Sequence, residues 1–305
     1  MITSIFSKSK PINIILIVVF IGLLFIISNY SSLFIDLNSV INGSAKLIIA
    51  IFSVFILDFI ISKNTLTKKN SYAIMTCGLL FALFPEALKY SDLLVSNLFI
   101  LFALRRIISL QTRISIKKKL FDAAFWIAFA TLFYFWAVLF FAILLVALIY
   151  HAQNDIKNII VPFVGVLTVA ILLLSYNIIY YDVFLRDSNF NLNASIDYTA
   201  YNSKENIARL TAIFVAFIWI LIYFFKTISD KNKKLKPSYF LVAWSAIIAV
   251  LIAVISPIKN GSEFLFLFAP FSILMANYLE LISERWFKEV FITLFIMIPL
   301  ISLIL

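Results

Sequence analysis

Four carboxylates stand just beyond apolar runs of this chain: Asp36, Glu86, Asp92 and Glu263. A carboxylate at a water boundary can act as a general base, taking the proton of an attacking sugar hydroxyl. Lys89, Arg186, Lys204, Arg209 and Lys259 fall in the same set of connecting segments. Ammonium and guanidinium groups there can hold a phosphate. Each of these residues suits an ordinary solvated loop charge equally well, so the chemistry depends on what the fold brings together. Asp58 and Asp122 fall within or at the start of apolar runs, where ionisable groups are functional suspects. Lys63 and Lys119 stand close by in sequence and offer both acids a structural role, as does the position of Glu280.

Other chemistries lack their residues. The chain has no GxxxxGK[ST], HExxH, CxxC or DxD pattern. His151 and Cys77 are the only residues of their types, too few for a metal site, and Cys77 can form no internal disulfide. No metal and no cofactor are expected.

The elements that must position these groups are membrane helices. The 305 residues are 64% hydrophobic and 13% charged, and the mean hydropathy is +1.07. A soluble domain is about a quarter charged. Runs such as FWIAFATLF and FLFLFAPF do not alternate as barrel strands would. The fold class is therefore all-α, a polytopic transmembrane helical bundle forming a single integral membrane domain over 1–305. Eleven spans are read, near 12–28, 47–62, 72–86, 92–108, 120–133, 135–150, 159–180, 209–225, 239–256, 264–281 and 289–305. The first is a retained span, since its run is long for a signal peptide and Ser28-Asn29-Tyr30 is a poor cleavage site. Pro85, Pro162, Pro257, Pro270 and Pro299 sit within spans or at their ends and can kink them.

Charge orients the bundle. With the N-terminus inside, 19 of the 25 Lys and Arg residues fall on the inner side, leaving it at +12 and the outer side at −2. That balance depends on Leu120–Tyr150, which carries no charge except Asp122. One long helix there would put Lys231, Lys233, Lys234 and Lys236 outside. A hairpin turning near Phe133–Trp136 keeps them inside, at the cost of two spans of roughly 23 Å against a hydrocarbon core of roughly 30 Å. The net charge of +10 is dispersed in short loops, which fits membrane lipids as partners and not nucleic acid. Two outer loops are long, 29–46 and 181–208. In the first, Leu33, Phe34, Leu37, Val40 and Ile41 predict a short helix lying on the membrane surface. The second carries Asp182, Arg186, Asp187, Asp197, Lys204 and Glu205, with tyrosines suited to an interfacial belt.

Three stretches together resemble the GT-C glycosyltransferases, which use polyprenyl-phosphate sugars. They are the first span with its acid-bearing loop at Asp36; Phe84–Leu110, an acid-bearing outer turn leading into a Leu/Phe-rich span; and Phe121–His151, similar to that superfamily's short hairpin. Ser256–Leu274 looks like its late outer loop entering a Pro-containing span. The hairpin tip departs from the pattern in carrying Tyr134 and Trp136. Over nearly its whole length the chain also resembles a bacterial family of Phe/Ile-rich membrane proteins of unassigned activity, opening on Lys8–Pro11. These resemblances imply a multi-pass protein of the bacterial cytoplasmic (inner) membrane. They imply a polyprenyl-phosphate sugar donor at the outer face. Asp36 would then be the general base, Glu86 or Asp92 would position the acceptor, and Arg186, Arg209 or Lys259 would hold the donor phosphate. An inactive relative, a transporter or lipid-handling protein, and a non-enzymatic scaffold or assembly partner stay open beside this. A transferase clusters its charges at an outer groove, a transporter buries them at mid-membrane with broken helices, and a scaffold shows neither. Asp36 in bulk water, with no groove and no basic partner, favours the scaffold.

Overall fold

A computed structural model describes residues 2–151, 156–186, 192–230 and 232–302. Every regular element among them is helical: α1 (Ile2–Phe6), α2 (Pro11–Leu33), α3 (Leu37–Asn64), α4 (Tyr72–Leu83), α5 (Ser91–Ile108), α6 (Ile116–Phe133), α7 (Phe141–His151), α8 (Ile156–Tyr181), α9 (Lys204–Thr227), α10 (Lys236–Ile255), α11 (Leu265–Leu281) and α12 (Arg285–Ser302), joined by short 3-10 turns. By length and composition, seven stretches qualify to cross a membrane: α2, α3, α5 with its 3-10 extension, α8, α9, α10 and α11 with the turn before it. The other four expected spans are helical too, the last as far as Ser302, with 303–305 outside the described residues. However, α4 and the 135–151 return are short, and α6 and α12 carry more charge, including Lys117–Lys119 and Arg285, Lys288 and Glu289.

α11 is the axis of the bundle. Of its apolar stretch 89% is buried, against 17% in α8 and 22% in α2. Those peripheral helices expose Ile15, Val19 and Leu23, and Ile160, Phe163 and Leu167. Apolar surface on this scale needs lipid around it. Small residues set the closest approach. α6 packs between α5 and α8 through Ala123, Ala124 and Ala130, all fully buried. Lipid offers helices no hydrophobic gain on association, so close backbone contact must supply it. A Cβ on Gly165 of α8 would stand 2.8 Å from the Phe121 carbonyl oxygen and 3.1 Å from the Phe125 nitrogen.

The connections meet at two ends. At the first end, the Ser71 amide donates to the Phe6 carbonyl (2.9 Å), Glu280 accepts from the Lys68 amide (2.7 Å) and from Asn70 Nδ2 (2.6 Å), and Ser238 donates to Gln111 (2.8 Å). At the second, Tyr134 donates to Ser256 (2.7 Å), Asn260 donates to Tyr90 (2.6 Å), and Trp136 donates to the Asn193 carbonyl (3.0 Å). α6 ends at Phe133, and Tyr134 takes an extended conformation, φ −146 and ψ 106. The 3-10 turn Phe135–Phe140 then leads into α7, which packs back against the turn Ser109–Thr112 at the first end. One continuous helix over 120–150 therefore does not occur.

The loop expected over 29–46 is almost absent. α2 runs to Leu33 and α3 begins at Leu37, so only Phe34–Asp36 lie between them. The helical spacing of Leu37, Val40 and Ile41 is the first turn of α3 and not a separate surface helix. The reason is local: Asp36 is the N-cap, and its side chain accepts from the Ser39 amide at 2.7 Å.

Gly165→Leu drives a side chain into the α6 backbone. It should lower stability by about 1–3 kcal/mol, read as a fall in melting temperature of the detergent-purified protein.

Candidate functional site

The second end holds a cavity of about 550 Å³ over the start of α5. Lys89, Tyr90, Ser91, Asp92, Tyr134 and Trp136 line it. Asp92 is the second residue of α5, where the partial positive charge of the helix start favours a carboxylate. Ser91 Oγ donates to Asp92 Oδ1 at 3.4 Å. The wall opposite is built by the hairpin tip. There the buried Tyr134 is held by Ser256, whose Oγ donates in turn to the Ile258 carbonyl at 2.9 Å. Burial pushes the Tyr134 phenol up to about 12, so it stays protonated. One carboxylate, one ammonium, hydroxyls and aromatic faces together suit a polyol ring, which offers hydroxyls at its rim and C–H groups on its faces.

A buried charge network lies behind the cavity. Glu263 is fully buried. It accepts from the Tyr201 hydroxyl, from the Gly261 amide at 2.9 Å and from the Asn260 amide at 3.4 Å. Gly261 has φ +97, and a Cβ there would lie 2.8 Å from a ring carbon of Phe84. Glycine is required both for that backbone and for the stacking of Phe84 on Phe264, 4.8 Å between centroids. Glu86 pairs with Arg209 at 3.3 Å, and Arg209 reaches Glu205 at 3.9 Å.

The six sequence-derived site residues separate. Asp92 lines the cavity. Glu86 and Arg209, far apart in sequence, meet each other behind it. Lys259 turns back onto α10, donating to the Ala253 and Val254 carbonyls at 2.8 and 2.7 Å beside the Tyr198 ring. It serves as a C-terminal helix cap, and burial pulls its pKa down. Arg186 lies over the Tyr181 ring, 3.9 Å from the centroid. Asp36 is exposed, and its bonds from Ser39 hold its carboxyl below the usual range. It caps α3 and does not line the cavity. Asp187 lies outside the described residues. Toward the first end, Asp122 pairs with Arg106 at 2.9 Å, and Asp58 is half-buried. Among the described residues no cluster of His, Cys, Asp and Glu could hold a metal.

Sequence reasoning missed Tyr90, Tyr201 and Asn260. The one signal available was Asn260-Gly261, a dipeptide that marks a tight turn, with an acid two residues after the glycine. Tyr201→Phe removes a donor from a buried carboxylate and should cost about 1–3 kcal/mol. Protease nicking within 192–203 should rise with it, read by mass spectrometry of the digest.

No curated protein and no solved structure matches the chain. One protein family does, described as a family of unknown function (DUF6427), and its match runs over residues 1–305. The chain is a helical membrane protein and belongs to that family.

Proposed function

We propose that the chain crosses the bilayer eleven times with its N-terminus inside, and that it holds a carbohydrate-bearing ligand in the outer cavity beside Asp92. Support for the topology comes from the two ends. The cation-rich turns 65–71, 109–115 and 232–238 meet at one, and the acid-bearing turns 84–92 and 256–264 at the other. Short cationic loops stay in the cytoplasm, so the cavity faces outward.

The observation that carries the ligand class is the lining itself, with Asp92 and Lys89 set among Tyr90, Tyr134 and Trp136. Aromatic faces cover the C–H side of a sugar, and the carboxylate takes its hydroxyl hydrogens. A donor of the polyprenyl-phosphate class fits a site at the membrane surface, its chain in lipid and its sugar in the cavity. In the fuller, catalytic form of the proposal Asp92 replaces Asp36 as base, since Asp36 is an exposed cap. The Asp92 carboxylate takes the proton of an acceptor hydroxyl while that oxygen bonds to the anomeric carbon. The bond from that carbon to the phosphate oxygen breaks, and the phosphate leaves with the electron pair, next to Lys89.

A scaffold or assembly role is the second reading. It is favoured by the structural engagement of Asp36, Glu86, Arg209 and Lys259. A transporter has less support, because the helices containing Pro162, Pro270 and Pro299 run on unbroken.

The test uses the full chain in nanodiscs, with quenching of Trp136 fluorescence by a polyprenyl-phosphate sugar as readout and Trp136→Phe as the signal control. Asp92→Asn should weaken binding by about tenfold to a hundredfold, as loss of a charged hydrogen bond does, with an unchanged melting temperature. A second arm follows transfer of labelled sugar to an acceptor alcohol. Binding without transfer keeps the cavity and removes the catalytic form. No binding at all leaves the scaffold.

A further inference from the structure

Two cavities lie in line along the seam between α9 and α12. The first, about 320 Å³, is walled by apolar side chains including Val215, Trp219, Phe291, Leu294 and Phe295. The second, about 240 Å³, opens at the first end between Tyr223, Tyr278, Ser283, Glu284 and Phe287. An aromatic collar separates them. Trp219 Nε1 donates to the Tyr278 hydroxyl at 2.6 Å. Tyr223 and Phe291 pack on the Tyr278 ring, with centroids 5.1 and 5.4 Å away. Together the two cavities make a groove along the seam, narrowed at that collar, apolar above it and polar at its mouth.

We propose that this slot binds one acyl chain of an amine-headed phospholipid, with its headgroup at Glu284. The upper slot runs from Thr211 to Trp219, about 12 Å of helix. Its 320 Å³ over that length gives a cross-section of about 27 Å². A single hydrocarbon chain fits that section, and apolar walls do not hold water. Charge decides the headgroup. Glu284 is exposed, and it is the one charged residue lining the mouth among the described residues. A carboxylate there pairs with an ammonium, which a phosphatidylglycerol headgroup lacks. The site is remote from the outer cavity and does not rest on what binds there.

The experiment places the full chain in nanodiscs carrying a diazirine-acyl phosphatidylethanolamine, or its phosphatidylglycerol analogue, and maps the labelled residues after irradiation. Label is expected on α9 and α12, with the ethanolamine probe favoured by about tenfold. Val215→Trp and Leu294→Trp fill the slot from opposite walls at exposed positions. Each should cut that label about tenfold while the melting temperature and monodispersity hold. Glu284→Gln should keep the chain label and erase the headgroup preference. Label spread over α2 and α8 in proportion to their exposure overturns the proposal. So does label indifferent to both Trp variants, equal labelling by the two probes in the unsubstituted protein, or α12 crosslinked to a second copy in place of lipid.

Discussion

A fully buried carboxyl group is the constraint on which the second end of this bundle depends. Glu263 has no exposure, and a carboxyl group withdrawn from water costs free energy unless its hydrogen bonds are satisfied. Its donors come from two separate stretches. Tyr201 brings in the segment before α9, and Asn260 and Gly261 bring in the turn before α11. The same turn then reaches forward. Asn260 Nδ2 holds Tyr90, and the missing Cβ of Gly261 lets Phe84 come close. Tyr90 and its neighbours Ser91 and Asp92 form one wall of the cavity. The cavity wall is therefore set from below, by a residue that does not line it.

The helices were legible in the sequence because the bilayer reduces the problem to apolar runs of sufficient length. The break at Tyr134 was legible for a less direct reason. No local signal marks it within Leu120–Tyr150, but charge parity on the two faces requires a reversal there. Asp36 shows the limit of spacing arguments. Leu37, Val40 and Ile41 are helical whether the helix lies on the surface or crosses, and the choice falls to the continuity of α3 beyond its cap. Lys259 shows another limit. Its place on the acidic side marked it as a phosphate ligand, yet α10 ends just before it, with carbonyls left open for the ammonium to cap. Glu86 and Arg209 were both singled out, but their pairing spans 123 positions of chain, and no period or motif encodes it.

The two ends divide their polar groups differently. At the first end, side chains close off backbone. Asn277 donates to the Leu66 carbonyl, Asn64 to the Ile60 carbonyl, and Asn13 to the Lys8 carbonyl. In a low-dielectric setting each such bond removes a costly orphan. At the second end side chains satisfy side chains: Tyr201 donates to Glu263, and Tyr134 to Ser256. Asp92, by contrast, is left at the water boundary with only a long contact from Ser91.

Helix length explains why there is an open space above Asp92 at all. α3 and α8, with 28 and 26 residues, are about 42 and 39 Å long. α6 has 18 residues, about 27 Å, and the return from Phe135 to His151 is no longer. A short hairpin whose lower end is level with the cation-rich turns cannot reach as high as its neighbours. Its tip, Phe133–Trp136, stops below the rim and becomes the floor and far wall of a depression. Aromatic residues are suited to that position, since their rings remain in the apolar zone while Tyr134 Oη and Trp136 Nε1 find partners in the turns above. The run of 31 residues whose one charge is Asp122 thus folds into a hairpin too short to fill the second end, and the polar cavity lies over its tip.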